Sequence, residues 1–453
     1  MWFRRDLRIN DNPALNAAIE SARAQGDNHV AAMVMIDSAL WPTWGAPKQK
    51  YLVDSLTSLN ESLQGNLIVR HGNPLEEVLC VAQATGATEV HMAADFTSHG
   101  IERDRLIKEL LADAGIKLVV TGSIYAVAPG RVLKADETPY KVYTPFYKAW
   151  SAHGWRKPAK FVGPPEWVMP VESQGFPNVE EVAGMQKVAA GETAALERWQ
   201  YVKREILDDY KNNRDRADLD GTSKLSTALK WGEIHPRTLL AELGDEAGHE
   251  TYRKELAWRE FYADVLFHNP HTVSDYLNPA FAEMEYDSGP LADQRLEAWK
   301  TGNTGYPFVD AGMRQLLAEG WMHNRVRMVT ASFLIKDLHL EWQIGAAWFF
   351  ELLRDADLAS NQHGWQWTAG CGTDASPYFR IFNPVMQGLK FDPNGDYVRK
   401  YIPELHHLPG ASAHEPWNAP DGYENNYAKR IVDHAVERDV SLARLKALKE
   451  SGN

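Results

Sequence analysis

The chain has 453 residues, 44% of them apolar and 24% charged, with a formal net charge of −13. That length exceeds one ordinary core and fits two or three domains, and the composition excludes a disordered or fibrous chain. The acidic balance argues against indiscriminate nucleic-acid binding, which needs Lys and Arg facing phosphates, but it leaves room for a local basic groove.

Cys80 and Cys371 are the only cysteines and stand far apart without a CxxC spacing, so neither a disulfide framework nor a zinc site is indicated. A reducing, cytoplasmic setting is expected. No stretch approaches the ~18 consecutive apolar residues of a membrane span, and Met1–Asp6 lacks an apolar signal region, so neither a membrane nor secretion is expected. Sixteen tryptophans are the compositional oddity, although any one of them is more often a packing residue than a functional one.

From residue 1 to 125, short apolar runs alternate with amphipathic stretches. Val30–Ile36, Leu67–Arg70, Glu89–Met92 and Lys117–Val120 predict buried strands, and Ala14–Ala24, Gln49–Leu63, Leu75–Thr85 and Glu102–Ala114 predict helices between them. This alternation specifies an α/β domain, a parallel sheet flanked by helices. A first strand has little room at Met1–Trp2–Phe3. Residues 126–195 carry eight prolines between Pro129 and Pro177 and little periodicity, which predicts an interdomain connector. From 196 to 453 helical periodicity dominates, in Leu196–Asn212, His249–Phe267, Phe308–Glu319, His323–Leu338 and Trp342–Arg354, and predicts a larger all-helical domain.

Several constellations in that second half could carry chemistry. Gly221–Thr222–Ser223–Lys224–Leu225–Ser226 puts three hydroxyls at an expected helix start, which suits a pyrophosphate and equally suits an ordinary cap. Glu255 and Trp258, three apart, share a helix face, a carboxylate beside a flat ring that fits a planar base or a plain surface pair. Asn324 and Met328, four apart, also share a face, while Arg325 and Arg327 project elsewhere, toward a phosphate or carboxylate or simply into solvent. The densest segment runs from Asp355 through Asp357, Asn361, Trp365 and Trp367 to Asp374–Ala375–Ser376–Pro377–Tyr378–Phe379–Arg380. On a helix, Trp365 and Trp367 point about 200° apart and serve opposite faces.

Together with Trp2–Phe3–Arg4–Arg5–Asp6–Leu7–Arg8 and Thr304–Gly305–Tyr306–Pro307–Phe308–Val309–Asp310–Ala311, these stretches closely resemble the photolyase/cryptochrome family over essentially the whole chain, and in particular its class I cyclobutane-dimer photolyases. The resemblance implies light-driven electron transfer from reduced FAD to a flipped-out cyclobutane pyrimidine dimer in UV-damaged DNA, by a monomer. It implies that Tyr210 and Thr222, Ser223, Lys224, Leu225 and Ser226 hold FAD, that Arg327 pairs with Asp355 beside the flavin ring, that Asp357 lies near its polar edge, and that Asn361 faces N5. Glu255, Asn324 and Arg325 would line the dimer cavity, with Trp258 and Trp367 as walls and Met328 against the bases. Extruding the lesion requires such a cavity, a strategy for which photolyases are a standing example. Arg214, Arg380 and Lys390 become candidate phosphate contacts.

Within the family, Asn361 and Met328 match repair enzymes of the cyclobutane type. A cryptochrome-like blue-light photoreceptor is the alternative, distinguished by a C-terminal extension, whereas this sequence stops at Asn453 shortly after the family's core. Asp95–Phe96–Thr97–Ser98–His99–Gly100 resembles deazaflavin-using members, so an 8-hydroxy-5-deazaflavin antenna near Asp95 is favoured over methenyltetrahydrofolate. Trp365 and Trp342 match the first two members of the family's electron-transfer chain. At the position of the third stands Gly289, and a small insertion could bring Tyr286 there instead.

Overall fold

The computed structural model describes residues 1–186, 188–373 and 379–451. Among the described residues seven short strands occur, all before residue 168: β1 (Trp2–Phe3), β2 (His29–Val30), β3 (Ala32–Asp37), β4 (Leu67–Gly72), β5 (Glu89–Ala94), β6 (Lys117–Ser123) and β7 (Glu166–Trp167). Every pairing among them is parallel, in the orders β1–β3–β4, β5–β6 and β2–β7, with β1 packed beside β5.

The two-residue β1 shows why so short a run suffices. Trp2 lies opposite Met33 and Phe3 opposite Val34. Successive side chains of a strand point to opposite faces, so Trp2 and Met33 join the core cluster under the helices Pro74–Ala84 and Ser98–Asp113, while Phe3 and Val34 join the cluster under Pro13–Gln25 and Ala46–Ser62. Both sheet faces are therefore covered. Asn12, Asn73 and Thr97 cap three of these helices by accepting from Leu15 N, Leu75 N and Gly100 N. The Thr97 cap starts its helix at Ser98, four residues before the periodicity alone suggests.

Residues 126–195 are more structured than their prolines imply. A helix, Tyr143–His153, packs Phe146 and Trp150 into the core of the helical domain, whereas Phe161, Val162, Trp167 and Phe176 pack on the α/β domain. This segment clamps the two halves together. Its anchor is Glu260, 3% exposed, whose carboxylate accepts from Ala126 N, from Val127 N at 3.0 Å and from Trp150 Nε1 at 2.6 Å. Glu260→Ala leaves these three donors without a partner, and at about 1 kcal/mol or more for each buried unsatisfied group the expected loss is at least about 3 kcal/mol. A denaturant titration checks it: a loss below ~1 kcal/mol would mean that water replaces the carboxylate.

Beyond residue 191 all regular elements among the described residues are helical. The continuous helix expected over 196–212 is broken into Glu192–Glu205 and Tyr210–Asn213. The turn between them lets the helix Ala247–His268 approach so closely that a Cβ on Gly248 would sit 1.9 Å from the Leu207 carbonyl oxygen. The main helical core collects Trp299, Phe349, Trp342 and Trp365, all nearly inaccessible. No helix among the described residues is long and apolar enough to cross a membrane.

Candidate functional site

Three chain segments meet at Asp355, whose carboxylate oxygen Oδ2 accepts from Ser226 Oγ at 2.6 Å and from Arg327 Nη2 at 2.8 Å. The contact between Arg327 and Asp355 expected from the sequence is thus present. Trp321 Nε1 donates to Ser226 Oγ at 3.3 Å and Arg327 Nε to the Met322 carbonyl at 2.8 Å, so both side chains are held from a second direction. The other oxygen of Asp355, Oδ1, is buried and accepts nothing from the protein. Such an orphaned acceptor calls for a donor from outside the chain.

The 221–226 segment is a loop, and the helix after it, Ser226–Trp231, begins only at its last residue. Arg198 ties the loop down, donating to the Ser223 and Thr222 carbonyls at 2.8 Å each. Thr222 and Ser223 are half-buried, Lys224 pairs with Asp220 at 2.8 Å and lies 5.9 Å from the centre of the Trp321 ring, and Leu225 is a core residue. Tyr210 is buried edge-on against Tyr252, 5.2 Å between ring centres.

Asp357 caps the helix Leu358–Ala369 by accepting from Ser360 N at 3.1 Å, and Arg5 of the α/β domain reaches it at 3.4 Å. Burial would push this carboxyl up, but Arg259, Arg5 and Lys230 together hold it below its ordinary range. On the same helix, Asn361 uses its amide N–H groups on the Ala346 carbonyl at 3.0 Å and on Gln362 Oε1 at 2.8 Å. What it presents outward is a carbonyl oxygen. One turn on, Trp365 is 3% exposed and packs edge-on against Phe349 at 4.9 Å and Trp299 at 6.2 Å. Gly345 makes this possible, because a Cβ there would sit 2.2 Å from the Trp365 ring.

Trp342 is fully buried and meets Tyr276 edge-on at 6.1 Å. Tyr286 is half-buried against the same core. Burial first, and then Tyr276, raise its hydroxyl pKa. Tyr276 has no distinguishing sequence signal and emerges only from packing.

A second cluster lies where the dimer cavity is expected. Glu255 pairs with Arg214, Arg214 Nε lies 3.8 Å from Asp215, and Arg325 Nη2 lies 2.9 Å from Asp215. Burial raises the Glu255 carboxyl, with Arg214 opposing it. His323 caps the helix Asn324–Lys336 through Arg325 N, and burial lowers its pKa to about 4, which keeps it neutral. Asn324 is exposed, its Nδ2 3.9 Å from Met328 Sδ. Trp258 stacks on Tyr143 with ring centres 3.7 Å apart, so one of its faces is already covered. Arg380, exposed, lies over the Trp367 ring at 5.8 Å, and Lys390 stands in a cavity of about 420 Å³ with Arg325, Arg216 and Phe391. Asp374 to Tyr378, part of the motif read from the sequence, lie outside the described residues.

In the α/β domain, Asp95 serves its own loop. It accepts from Thr97 N and Oγ1 at 3.0 Å each and lies 3.7 Å from Arg5 and 3.5 Å from Arg103. Burial opposes its ionisation, but Arg5 and Arg4 outweigh it and hold the carboxyl far below its ordinary range. A Cβ on Gly100 would sit 2.3 Å from Asp95 Cγ, so glycine lets the carboxylate pack on the next helix.

The α/β domain is clamped to a helical domain that carries two polar clusters, one around Asp355 and another around Asp215. Residues 1–165 match the family model described as DNA photolyase, and residues 252–447 the one described as FAD binding domain of DNA photolyase. The chain is 37% identical to the deoxyribodipyrimidine photo-lyase of Alkalihalophilus pseudofirmus, an alignment covering 98% of this chain and 96% of that protein. In structure it is similar to a bacterial class III photolyase from Agrobacterium tumefaciens (TM-score 0.87, 34% identity, 99% and 97% of the two chains). It is also similar to a cryptochrome from Synechocystis (TM-score 0.87, 27% identity, 98% of each chain). The chain belongs to the DNA photolyase family.

Proposed function

We propose that this protein repairs cyclobutane pyrimidine dimers in UV-damaged DNA in a light-dependent reaction, as a class I photolyase carrying FAD. The observation that carries the reading is the Ser226–Asp355–Arg327 junction, which joins three segments expected around one flavin and leaves a buried carboxylate oxygen for a ligand to satisfy. When bound, FAD supplies the light-excited electron, and the protein supplies position, dryness and electrostatics.

In this reading Tyr210, Thr222, Ser223, Lys224, Leu225 and Ser226 hold the cofactor. Arg327 and Asp355 flank its ring and Asp357 its polar edge. Asn361, with its N–H groups already engaged, offers a carbonyl oxygen and therefore favours a ligand that carries an N–H donor. Trp365 and Trp342 carry electrons inward from the surface. Glu255, Asn324, Trp258, Met328 and Trp367 receive the dimer, and Arg214, Arg325, Arg380 and Lys390 receive the flanking phosphates.

Asn361 and Met328 support repair of the cyclobutane type, the overall resemblance of the sequence motifs favours class I, and the class III neighbour offers the same reaction in another class. The loop that Asp95 organises is assigned to a second chromophore, 8-hydroxy-5-deazaflavin, and the free thiols of Cys80 and Cys371 support a reducing, cytoplasmic setting. The cryptochrome neighbour keeps a photoreceptor as the second reading.

The test is repair of dimer-containing DNA by the reduced protein under blue light. Restored pyrimidines only in the light are expected. Activity in the dark, or on (6-4) lesions alone, contradicts the reading, and light-driven spectral change without repair favours the photoreceptor. Copurified methenyltetrahydrofolate would reverse the antenna assignment.

A further inference from the structure

The cations expected to meet DNA phosphates are not free in this protein. Arg325 is held by Asp215 at 2.9 Å. Arg214 is shared between Glu255 and the same Asp215. Arg216, in the cavity beside them, is bound by Asp218 through two hydrogen bonds of 2.8 and 2.5 Å. Arg214, Arg325, Glu255 and Asp215 thus form a cluster of two positive and two negative groups whose charges cancel. Among the described residues, Lys390 is the cation lining this cavity without a carboxylate within 4.0 Å. The side chain of Arg325 is further fixed, its guanidinium 4.6 Å above the Phe391 ring and its backbone N–H on His323.

We propose that Asp215 is a specificity-determining residue that occupies Arg325 and Arg214 in place of a phosphate and so suppresses binding to undamaged DNA. The proposal rests on the reading that this mouth receives DNA. A carboxylate 2.9 Å from a guanidinium is a near match for a phosphate oxygen in charge and geometry. Paired, the two charges act at a distance as a dipole, so an approaching duplex finds little field to hold it. A phosphate gains Arg325 only by displacing Asp215. An intact, stacked strand presents its phosphates in fixed positions outside the cavity and must pay that displacement without compensation. A strand with an extruded lesion brings its phosphates to the cavity rim while the lesion fills the interior, and the interior contacts offset the displacement. Specificity then comes from a built-in competitor rather than from extra attraction. This also reconciles a net charge of −13 with a DNA-handling surface, because the mouth holds its cations in reserve.

The experiment compares binding of Asp215→Asn and the parent protein, both loaded with FAD, to undamaged duplex and to dimer-containing duplex over a range of salt. The substitution should raise affinity for undamaged duplex roughly tenfold at low salt and raise damaged-duplex affinity less, so discrimination falls. The slope of log affinity against log salt should steepen by about one, the counterion released by one newly available cation. The double variant Asp215→Asn/Arg325→Gln should lose the gain. Unchanged or weaker binding to undamaged duplex, in a variant whose melting temperature matches the parent, overturns the proposal, as does a gain that survives in the double variant. The undamaged-duplex arm needs no repair chemistry. A parent protein that fails to prefer damaged DNA therefore counts against the proposed function alone.

Discussion

Trp365→Phe should abolish fast photoreduction of the bound flavin while sparing repair by enzyme reduced chemically beforehand. Trp365 lies one turn beyond Asn361 on the same helix and is 3% exposed, so an electron reaching the flavin site from this side must pass its ring. Phenylalanine keeps the edge-on packing against Phe349 but is far harder to oxidise. In the proposed function the electron used in repair would pass from the cofactor to the dimer and would not need Trp365. Comparing light-driven bleaching of oxidised flavin with repair by the reduced protein separates the two, and equal loss of both would contradict separate routes.

The outer end of this path is where packing alters the sequence reading. The sequence offers Tyr286 in the vacant third position. The ring that touches Trp342, however, belongs to Tyr276, whose hydroxyl is hydrogen-bonded to that of half-buried Tyr286. Tyr276 thus links Trp342 to Tyr286. Transient absorption of Tyr286→Phe decides the end point: loss of a neutral tyrosyl signal supports this exit, and an unchanged tryptophanyl signal rules it out.

The second large effect concerns Glu255. Glu255→Ala should lower repair roughly tenfold, as loss of a hydrogen bond worth about 1.5 kcal/mol implies, while reducing DNA binding less. Arg325→Ala should do the reverse, weakening binding and flattening its salt dependence by about one counterion. The sign of the pH dependence follows from burial, which raises the Glu255 carboxyl. Below the raised pKa the group is neutral and can donate to the lesion, and above it the group is ionised and cannot. When a phosphate draws Arg214 away from Glu255, the opposing influence weakens and the neutral form is favoured further. Repair should therefore fall as pH rises through that pKa, and Glu255→Gln, a permanent donor, should retain most activity and flatten the profile. A profile identical in both proteins would show that Glu255 acts only by position.

Much of this protein was legible in the order of its residues. Strand–helix alternation in the first 125 residues, helical periodicity beyond 196, and the pairing of Arg327 with Asp355 all rest on local spacing or on long motifs, which a linear reading preserves. The helix at Tyr143–His153 was not legible, because its packed face is four aromatics, Tyr143, Phe146, Tyr147 and Trp150, and the surrounding prolines mask the period. Nor was the break after Glu205, where the turn packs against Gly248, more than forty residues downstream.

By itself the sequence determined which chemistry is present: hydroxyls in one loop, a carboxylate and an asparagine at the head of one helix, two tryptophans on its opposite faces, and arginines near residues 214 and 325. Tertiary structure alone decided what each group is free to do. It paired Lys224 with Asp220, used the amide hydrogens of Asn361 within the fold, put Tyr276 against Trp342 and closed Asp215 onto Arg325. The reason is physical. Residue type and spacing fix the donors, charges and rings a chain carries, whereas a group's pKa, exposure and partners depend on neighbours brought close from distant parts of the chain.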